Sequence, residues 1–141
     1  NRLWHFLESH NLLFENQHGF IKKKSTTSAI LSLINKIVRD MDRGQFVTGL
    51  FFDLSKAFDM VNHSLLLDKM SGMGIRGTAL DWFASYLQER KQFVVLPATD
   101  SRGCLTNHHS SEALIQNGVP QGSILGPVLF LLFIKNLPNC L

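Results

Sequence analysis

The sequence predicts an α+β domain, and three observations support that prediction. Apolar residues recur at helical spacing over residues 29–41, residues 45–53 are rich in Phe and Val, and the elements follow the order helices, strand, helices, strand pair, helix. A chain of 141 residues is long enough for one domain with a sizeable core. Since no strand is predicted after the last helix to return beside residues 46–53, we expect a sheet domain that is cut before its last strands.

The N-terminal third is predicted to form two helices separated by a polar loop. Residues 2–15 carry apolar side chains near helical spacing, which indicates a short amphipathic helix, and residues 16–24 form the loop. Ser25 or Thr26 can cap the second helix, and Gly44 can end it. The apolar positions of this second helix follow an i, i+3, i+4, i+7 pattern: Ala29, Ile30, Leu33, Ile34, Ile37, Val38 and Met41.

The rest of the chain is predicted to alternate strands and helices. Residues 45–53 are bounded by glycine and charge and indicate a buried strand. Asn62 can cap a helix through Met70, and a turn over residues 72–77 separates that helix from the next. The remaining expected elements are a helix at 78–88, strands at 92–96 and 113–119 that can pair across a polar loop at 97–109, and an apolar helix at 125–137.

Composition narrows the classes of protein that fit. The net charge is +3, and Lys22, Lys23 and Lys24 form a basic cluster that can contact phosphate or be only a solvated loop. Two cysteines are too few for a disulfide framework, and the longest apolar run, residues 128–134, is too short to span a bilayer. The low cysteine count makes a reducing intracellular compartment the default, so we expect a nuclear or cytoplasmic protein with no membrane partner; the sequence shows no targeting signal. Because the chain lacks an initiator Met and ends just after an apolar run, we expect a fragment.

Two patterns that suggest ligand sites have simpler interpretations. Residues 72–77 fit G-x-G-x-x-G and Asp100 follows, but no strand is predicted directly before the first glycine, so a turn between helices is favoured over a dinucleotide site. Cys104, His108 and His109 are possible zinc ligands. Adjacent histidines rarely face one metal, so a polar loop is favoured over a zinc site.

Asp53 is a stronger candidate because it ends an apolar segment. A carboxylate at the end of a buried strand lies at a sheet edge, where it can hold Mg²⁺ against substrate phosphates. The alternative is a helix or turn cap. Asp59 follows on the far side of a turn, where capping or support of the metal ligands is the expected role.

The loop over residues 117–123 is a second candidate because it joins a predicted strand to a predicted helix. Its backbone N–H groups and the helix N-terminus can face an anion. Gln121 offers both a donor and an acceptor, and Gly122 allows close approach of the backbone to a ligand. A tight Pro-Gly connection accounts for the proline and the glycines but not for the glutamine.

Together these segments resemble the reverse transcriptase family. Residues 52–59, FDLSKAFD, resemble the first catalytic motif of the family, and residues 118–127, GVPQGSILGP, resemble its following nucleotide-binding motif. QHGF at 17–20 with STTSA at 25–29 is similar to the upstream fingers-side motif. Trp82, Ser85-Tyr86-Leu87 and Arg90 match the W..SYL..R pattern of non-LTR, LINE-type retrotransposon enzymes. The resemblance covers nearly the whole chain in order.

The resemblance implies a role for each matching residue. Asp53 is expected to bind both catalytic Mg²⁺ ions, and the Leu54 backbone carbonyl to complete the coordination of one of them. Phe58 is expected to be the steric gate that stacks under the incoming sugar and rejects a 2′-hydroxyl. Gln121 is expected to contact the incoming nucleotide, and Gly122 to lie against the template–primer.

The resemblance also implies an architecture and partners. It implies the partial fingers and palm of a right-hand polymerase, truncated before the final palm hairpin, with residues 1–44 as fingers-side helices and 45–141 as the palm portion. Lys22 and Lys24 fall in the fingers-side segment, where they can touch phosphate. The implied partners are an RNA template, a DNA primer, deoxynucleoside triphosphates and the remainder of the parent polyprotein.

Three departures from the family pattern leave alternatives open. The third motif, an aromatic followed by x-Asp-Asp, does not occur before Leu141; Ile21 stands where arginine is usual, and Lys135-Asn136 where Asn-Asp is common. One aspartate and one carbonyl do not hold two Mg²⁺ ions, so the chain alone is expected not to polymerise. The alternatives are a non-catalytic nucleic-acid-binding remnant of a mobile element, a dinucleotide enzyme, and a relative of group II intron enzymes.

Overall fold

The computed structural model describes residues 2–99 and 103–137. The mixture of helices and small sheets agrees with the predicted α+β class. Asp100 and Cys140, which the sequence analysis considered, lie outside the described residues. The elements in chain order are helices α1 (Arg2–Ser9), α2 (Thr26–Asp42), α3 (His63–Gly72) and α4 (Thr78–Leu87), strands β1 (Lys91–Gln92), β2 (Val95–Thr99), β3 (Leu105–His109) and β4 (Ala113–Leu114), and helix α5 (Leu125–Ile134).

The core lies between α1, α3, α4 and α5. Each of these helices contributes at least one fully buried leucine, and Val61 joins them from the segment before α3. Lys69 of α3 covers one edge of the core: its Nζ donates to the Phe133 carbonyl and lies 4.8 Å from the centroid of the Phe133 ring. The fully buried side chains are Leu7, Val61, Leu66, Met70, Leu87, Leu129 and Leu132.

The predicted caps of α2 and α3 are confirmed. Ser25 Oγ accepts from the Ser28 backbone N–H at 3.2 Å, and Ser28 Oγ accepts from the Ser25 N–H at 2.9 Å, which is a reciprocal capping box. Asn62 Oδ1 accepts from the Leu65 N–H at 2.9 Å at the start of α3. Gly44 follows α2 at φ +71°, a left-handed conformation that ends a helix without steric cost.

The apolar face of α2 is exposed, although its periodicity predicts burial. No residue of α2 is buried, and Ile30, Val38 and Met41 keep 58%, 50% and 62% of their surface in contact with solvent. Periodicity identifies the face of a helix that favours burial but does not supply the element that covers it. None of the other described helices packs over this face closely enough to bury it.

The predicted strand over residues 45–53 is wrong in this structure. Residues 45–54 have no regular secondary structure, and Phe46, Phe51 and Phe52 are 105%, 85% and 70% exposed. A strand forms only where a neighbouring backbone accepts and donates its hydrogen bonds. The strands of the described residues pair with one another, β1 with β4 and β2 with β3, and none is adjacent to this segment.

The β structure differs from the prediction in its extent. The expected pairing of two strands across a long connection is present, but it is limited to Lys91 opposite Leu114 and Gln92 opposite Ala113. The predicted polar loop at 97–109 is wrong, because β2 and β3 form an antiparallel ribbon there. Both strands of a two-stranded ribbon are edges, which is why Pro97 is accommodated within β2.

The positions of the helices and of the glycine-rich turn agree more closely with the prediction. Helix α1 ends at Ser9, α4 at Leu87 and α5 at Ile134, each short of the predicted limit. Helix α3 leads directly into the turn over residues 72–77, so this turn joins two helices as predicted, and the dinucleotide alternative is wrong. Within residues 2–99 and 103–137, no helix has the length and apolar character needed to cross a membrane.

Candidate active site

The fold joins the two main predicted motifs through their backbones. The Gly118 N–H donates to the Val61 carbonyl at 2.7 Å, and the Val119 N–H donates to the Phe58 carbonyl at 2.9 Å. His63 adds a side-chain contact, because its Nε2 lies 2.7 Å from the Gly118 carbonyl oxygen. Segments far apart in the sequence are therefore held in a fixed relation at this point.

Gly118 is the residue that permits this close approach. Its φ is +93°, a conformation that L-residues with a side chain rarely adopt. A Cβ at this position would lie 3.0 Å from Asp59 Cα and 3.1 Å from the Asp59 carbonyl oxygen, both of them backbone atoms. Any larger residue would push the two segments apart.

A tight turn over residues 55–60 directs Phe58 toward the core. The Asp59 and Met60 N–H groups both donate to the Lys56 carbonyl, at 2.9 and 3.1 Å. The half-buried Phe58 ring lies 4.8 Å from the buried Phe130 ring and meets the Phe20 ring edge-on at 5.7 Å. Phe20, on the loop before α2, thus packs against the first motif.

The second loop is fastened to the start of α5. Ser123 Oγ donates to the Pro120 carbonyl at 2.8 Å and accepts from the Gly126 N–H at 2.9 Å. Gly126 has no room for a side chain, since a Cβ there would lie 2.6 Å from the Pro120 carbonyl oxygen. These contacts fix the segment that carries Gln121 and Gly122.

The predicted nucleotide-binding residues line one cavity of about 310 Å³. Its lining combines aromatic rings, prolines and a single amide, so a planar or ring-shaped ligand can lie on the aromatic side while the amide provides a hydrogen bond. Asp59 orients that amide, because Gln121 Nε2 donates to Asp59 Oδ1 at 3.1 Å. The lining residues are Phe20, Phe58, Pro120, Gln121, Gly122 and Pro127.

The predicted metal ligands lie on the exposed segment that precedes the turn. Asp53 and Leu54 are exposed and are not among the residues that line the cavity. In the part of the chain that the structure describes, no three His, Cys, Asp or Glu side chains are grouped closely enough to hold a metal ion. The donor set of these residues therefore does not by itself fit a two-magnesium centre, which needs several carboxylates.

Two further groups singled out in the sequence are the basic cluster and the histidine pair. Lys22 is exposed, whereas the half-buried Lys24 donates through Nζ to the Glu15 carbonyl. His18 Nδ1 lies 2.8 Å from Ser28 Oγ and anchors the same loop to α2. His108 and His109 are consecutive on β3 and face opposite sides of the ribbon, which excludes their sharing one metal ion.

Sequence reasoning assigned no role to Phe20, His63, Gly118 or Pro127. Phe20, Gly118 and Pro127 lie inside segments that resemble family motifs. A Gly or Phe within such a motif is a signal of close packing. His63 carried no comparable signal. Its contact with the Gly118 carbonyl spans 55 residues of sequence and depends on the fold.

Comparison with protein families identifies the class of protein. The family model described as reverse transcriptase (RNA-dependent DNA polymerase) matches residues 1–141. The chain therefore belongs to the reverse transcriptase family, as the two motifs and the shared cavity lead one to expect.

The individual proteins that the chain resembles include RNA-directed DNA polymerases of mobile elements. The chain is 30% identical over 138 residues to a probable RNA-directed DNA polymerase from transposon BS of Drosophila melanogaster, covering 98% of this chain and 14% of that protein. It is 30% identical over 123 residues to the RNA-directed DNA polymerase from mobile element jockey of Drosophila funebris, covering 87% of this chain and 12% of that protein. It thus spans about one seventh of the first of these relatives and one eighth of the second. No solved structure matches the chain at a significant level.

Proposed function

We propose that this chain forms part of the active site of an RNA-directed DNA polymerase, which adds deoxynucleotides to a DNA primer opposite an RNA template. The observation that carries the proposal is the cavity shared by Phe58, Gln121 and Gly122. These residues come from two motifs that are distant in sequence, and several backbone and side-chain contacts hold those motifs together. Membership of the reverse transcriptase family supports the same reaction class.

The residues of the cavity have complementary roles in this proposal. The Phe58 ring, supported by Phe130, forms a rigid wall against the sugar, so a 2′-hydroxyl is rejected by shape. Gln121 binds the nucleotide through its amide while Asp59 holds that amide in position. Gly122 has no heavy atom near the position of an added Cβ, which leaves space for a nucleic-acid backbone.

Asp53 and the Leu54 carbonyl are the proposed ligands of a divalent metal ion, Mg²⁺. Such ions, when bound, would offset the negative charge that develops during nucleotidyl transfer. The exposed position of Asp53 leaves its carboxylate open to further ligands. We propose that those ligands are supplied by the remainder of the parent polyprotein.

The division into fingers-side helices over residues 1–44 and a palm portion over 45–141 is part of this proposal. Lys22 fits a phosphate contact on the fingers side, because it is exposed. Lys24 would first have to release the Glu15 carbonyl. The proposed site of action is intracellular, in the nucleus or the cytoplasm.

Nucleotide binding by this chain tests the proposal. Titration with dTTP and with 5-methyl-UTP, which differs from dTTP only by its 2′-hydroxyl, in the presence of Mg²⁺ and followed by NMR, should perturb the aromatic resonances of Phe58 and the side-chain amide of Gln121, more strongly with dTTP. Phe58→Val should bring the two affinities together, and Gln121→Ala should weaken both about tenfold, the loss of roughly one hydrogen bond.

Gln45→Ala is the matched control, because Gln45 is an exposed glutamine outside the cavity. Its nucleotide affinities should equal those of the unmodified chain. If Gln121→Ala and Gln45→Ala bind nucleotides equally well, the proposed role of the cavity is wrong.

A second candidate, a non-catalytic nucleic-acid-binding remnant, is favoured by the incomplete metal donor set among the described residues. Such a remnant would bind nucleic acid with a strong salt dependence that survives Asp53→Ala, and it would show no preference for dTTP over 5-methyl-UTP. The same nucleotide titration therefore separates the two candidates.

A further inference from the structure

Helix α4 and the turn after it carry a row of two aromatic side chains and one basic side chain to which the proposed function assigns no role. Trp82 and Tyr86 are one helical turn apart, and their rings stack with centroids 5.5 Å apart and planes at 12°. Arg90 continues the row, with Cζ 5.7 Å from the centroid of the Tyr86 ring. Trp82 is 53% exposed, so much of its indole surface is open to a ligand.

Arg90 also lines a polar cleft of about 700 Å³, and Gln121 is another of the residues that line this cleft. Lys56, Arg90 and Lys91 bring positive charge to the cleft. Asp59 is the acidic residue among its lining side chains, and it already accepts a hydrogen bond from Gln121. Lys91 pairs with Glu112 at 2.9 Å, but both side chains are well exposed, and such pairs exchange readily for phosphate.

The indole of Trp82 also borders an open, mainly apolar cavity of about 440 Å³. Phe6 and Phe83 contribute apolar surface to this cavity, and Arg2 and Arg76 add positive charge to its lining. A flat apolar ring with an attached anionic group matches this combination of an aromatic wall and cationic neighbours. Bases attached to phosphates have that chemistry.

We propose that the row Trp82–Tyr86–Arg90 and the adjoining cleft bind single-stranded nucleic acid that leads to or from the Gln121 cavity. The backbone phosphates lie along Lys56, Arg90 and Lys91, and a base stacks on the exposed face of Trp82. A single strand is required, because paired bases in a duplex have no free face to stack on an indole. This inference rests on the proposed function, since it extends the path of the nucleic acid away from that site.

Tryptophan fluorescence gives a direct test, because the chain contains two tryptophans. In a Trp4→Phe variant the emission comes from Trp82 alone; Trp4 lies on α1, where its Nε1 donates to Glu8 on the exposed surface. A single-stranded oligo(U) or oligo(dT) of about 12 nucleotides should quench this emission saturably. This length is chosen to cover both the row and the cleft. A blunt duplex of the same length should quench it far less.

Two variants assign the contacts. Trp82→Ala should weaken binding of the labelled single strand, measured by anisotropy, roughly 5- to 150-fold, as for loss of one stacked base. Arg90→Ala should weaken binding and lower the slope of log K against log salt by about one phosphate contact. Arg39→Ala on α2 is the matched control and should leave affinity and slope unchanged, because Arg39 is exposed on a helix outside the row and the cleft. Circular dichroism verifies that each variant is folded.

The outcomes separate this inference from the proposed function. Equal quenching by duplex and single strand, or equal effects of Arg90→Ala and Arg39→Ala, would overturn the α4 site even if dTTP still binds the Phe58 cavity. If the chain binds no dTTP but the single strand still quenches Trp82, the proposed function is overturned instead and single-strand binding at α4 remains supported.

Discussion

At the scale of single residues, glycines and one glutamine define the candidate site. Gly118 allows two distant segments to touch, and Gln121 projects into the cavity with its amide held by Asp59. The family motifs single out Phe58, Gln121 and Gly122, and in the structure all three line one cavity. Its other lining residues could not be assigned beforehand, because a ring contact such as that of Phe20 with Phe58 is determined by how the loops pack.

Gly118→Ala is expected to destabilise the protein by about 2–4 kcal/mol. The variant combines a strained positive φ with a close approach to the Asp59 backbone. Gly44→Ala is the matched control, since Gly44 has φ +71° but nothing within 4 Å of the added Cβ, and it should lose only about 1 kcal/mol from strain. Urea unfolding measures both; equal losses would show that the contact with Asp59 is unimportant.

At the scale of secondary structure, the sequence predicts helix caps correctly but does not predict which segments pair as strands. Ser25 and Asn62 cap α2 and α3 as predicted, because a cap depends on residues within one turn of each other. The strand over residues 45–53 was predicted wrongly, because its hydrogen-bonding partner must come from another part of the fold. The β2–β3 ribbon was missed for the converse reason: its polar composition, and Pro97 within it, favoured a loop.

Ser25→Ala is expected to destabilise α2 locally by about 1 kcal/mol through loss of the cap. Because α2 has no buried residue, hydrogen exchange of its amides should accelerate while the urea midpoint of the core stays nearly constant. Ser32→Ala, in the exposed middle of the same helix, is the control and should not accelerate exchange. A matching drop in the urea midpoint would mean that α2 folds with the core.

At the scale of the molecule, stability is concentrated in the core formed by α1, α3, α4 and α5. Residues 45–53, which the sequence predicts to form a buried apolar strand, lie outside that core and are exposed. Composition and periodicity predict how much apolar surface a chain can bury but not which part of it finds a partner. The core helices were therefore predictable individually, and their arrangement was not.

A pair of leucine substitutions distinguishes the two regions. Leu132→Ala, at a position with 0% exposure, should lower the free energy of unfolding by about 2–5 kcal/mol. Leu50→Ala, at 77% exposure, should change it by less than about 0.5 kcal/mol. Urea denaturation monitored by circular dichroism measures both, and a large loss for Leu50→Ala would show that residues 45–54 are packed in solution.

The chain alone is expected not to extend a primer, because one aspartate and one carbonyl cannot complete two magnesium coordination spheres. A primer-extension assay on an RNA template with Mg²⁺ checks this prediction. Robust extension that disappears in Asp53→Ala would contradict it.

The uncovered apolar surface of α2 and residues 45–54 also governs how the purified protein will behave in the test tube. Exposed apolar patches associate with one another, and sulfate strengthens that association because it is excluded from protein surfaces. The chain should therefore salt out at low ammonium sulfate and scatter light increasingly as it is concentrated. Dilute samples in chloride buffers, filtered just before use, are the appropriate starting point for the nucleotide and oligonucleotide titrations.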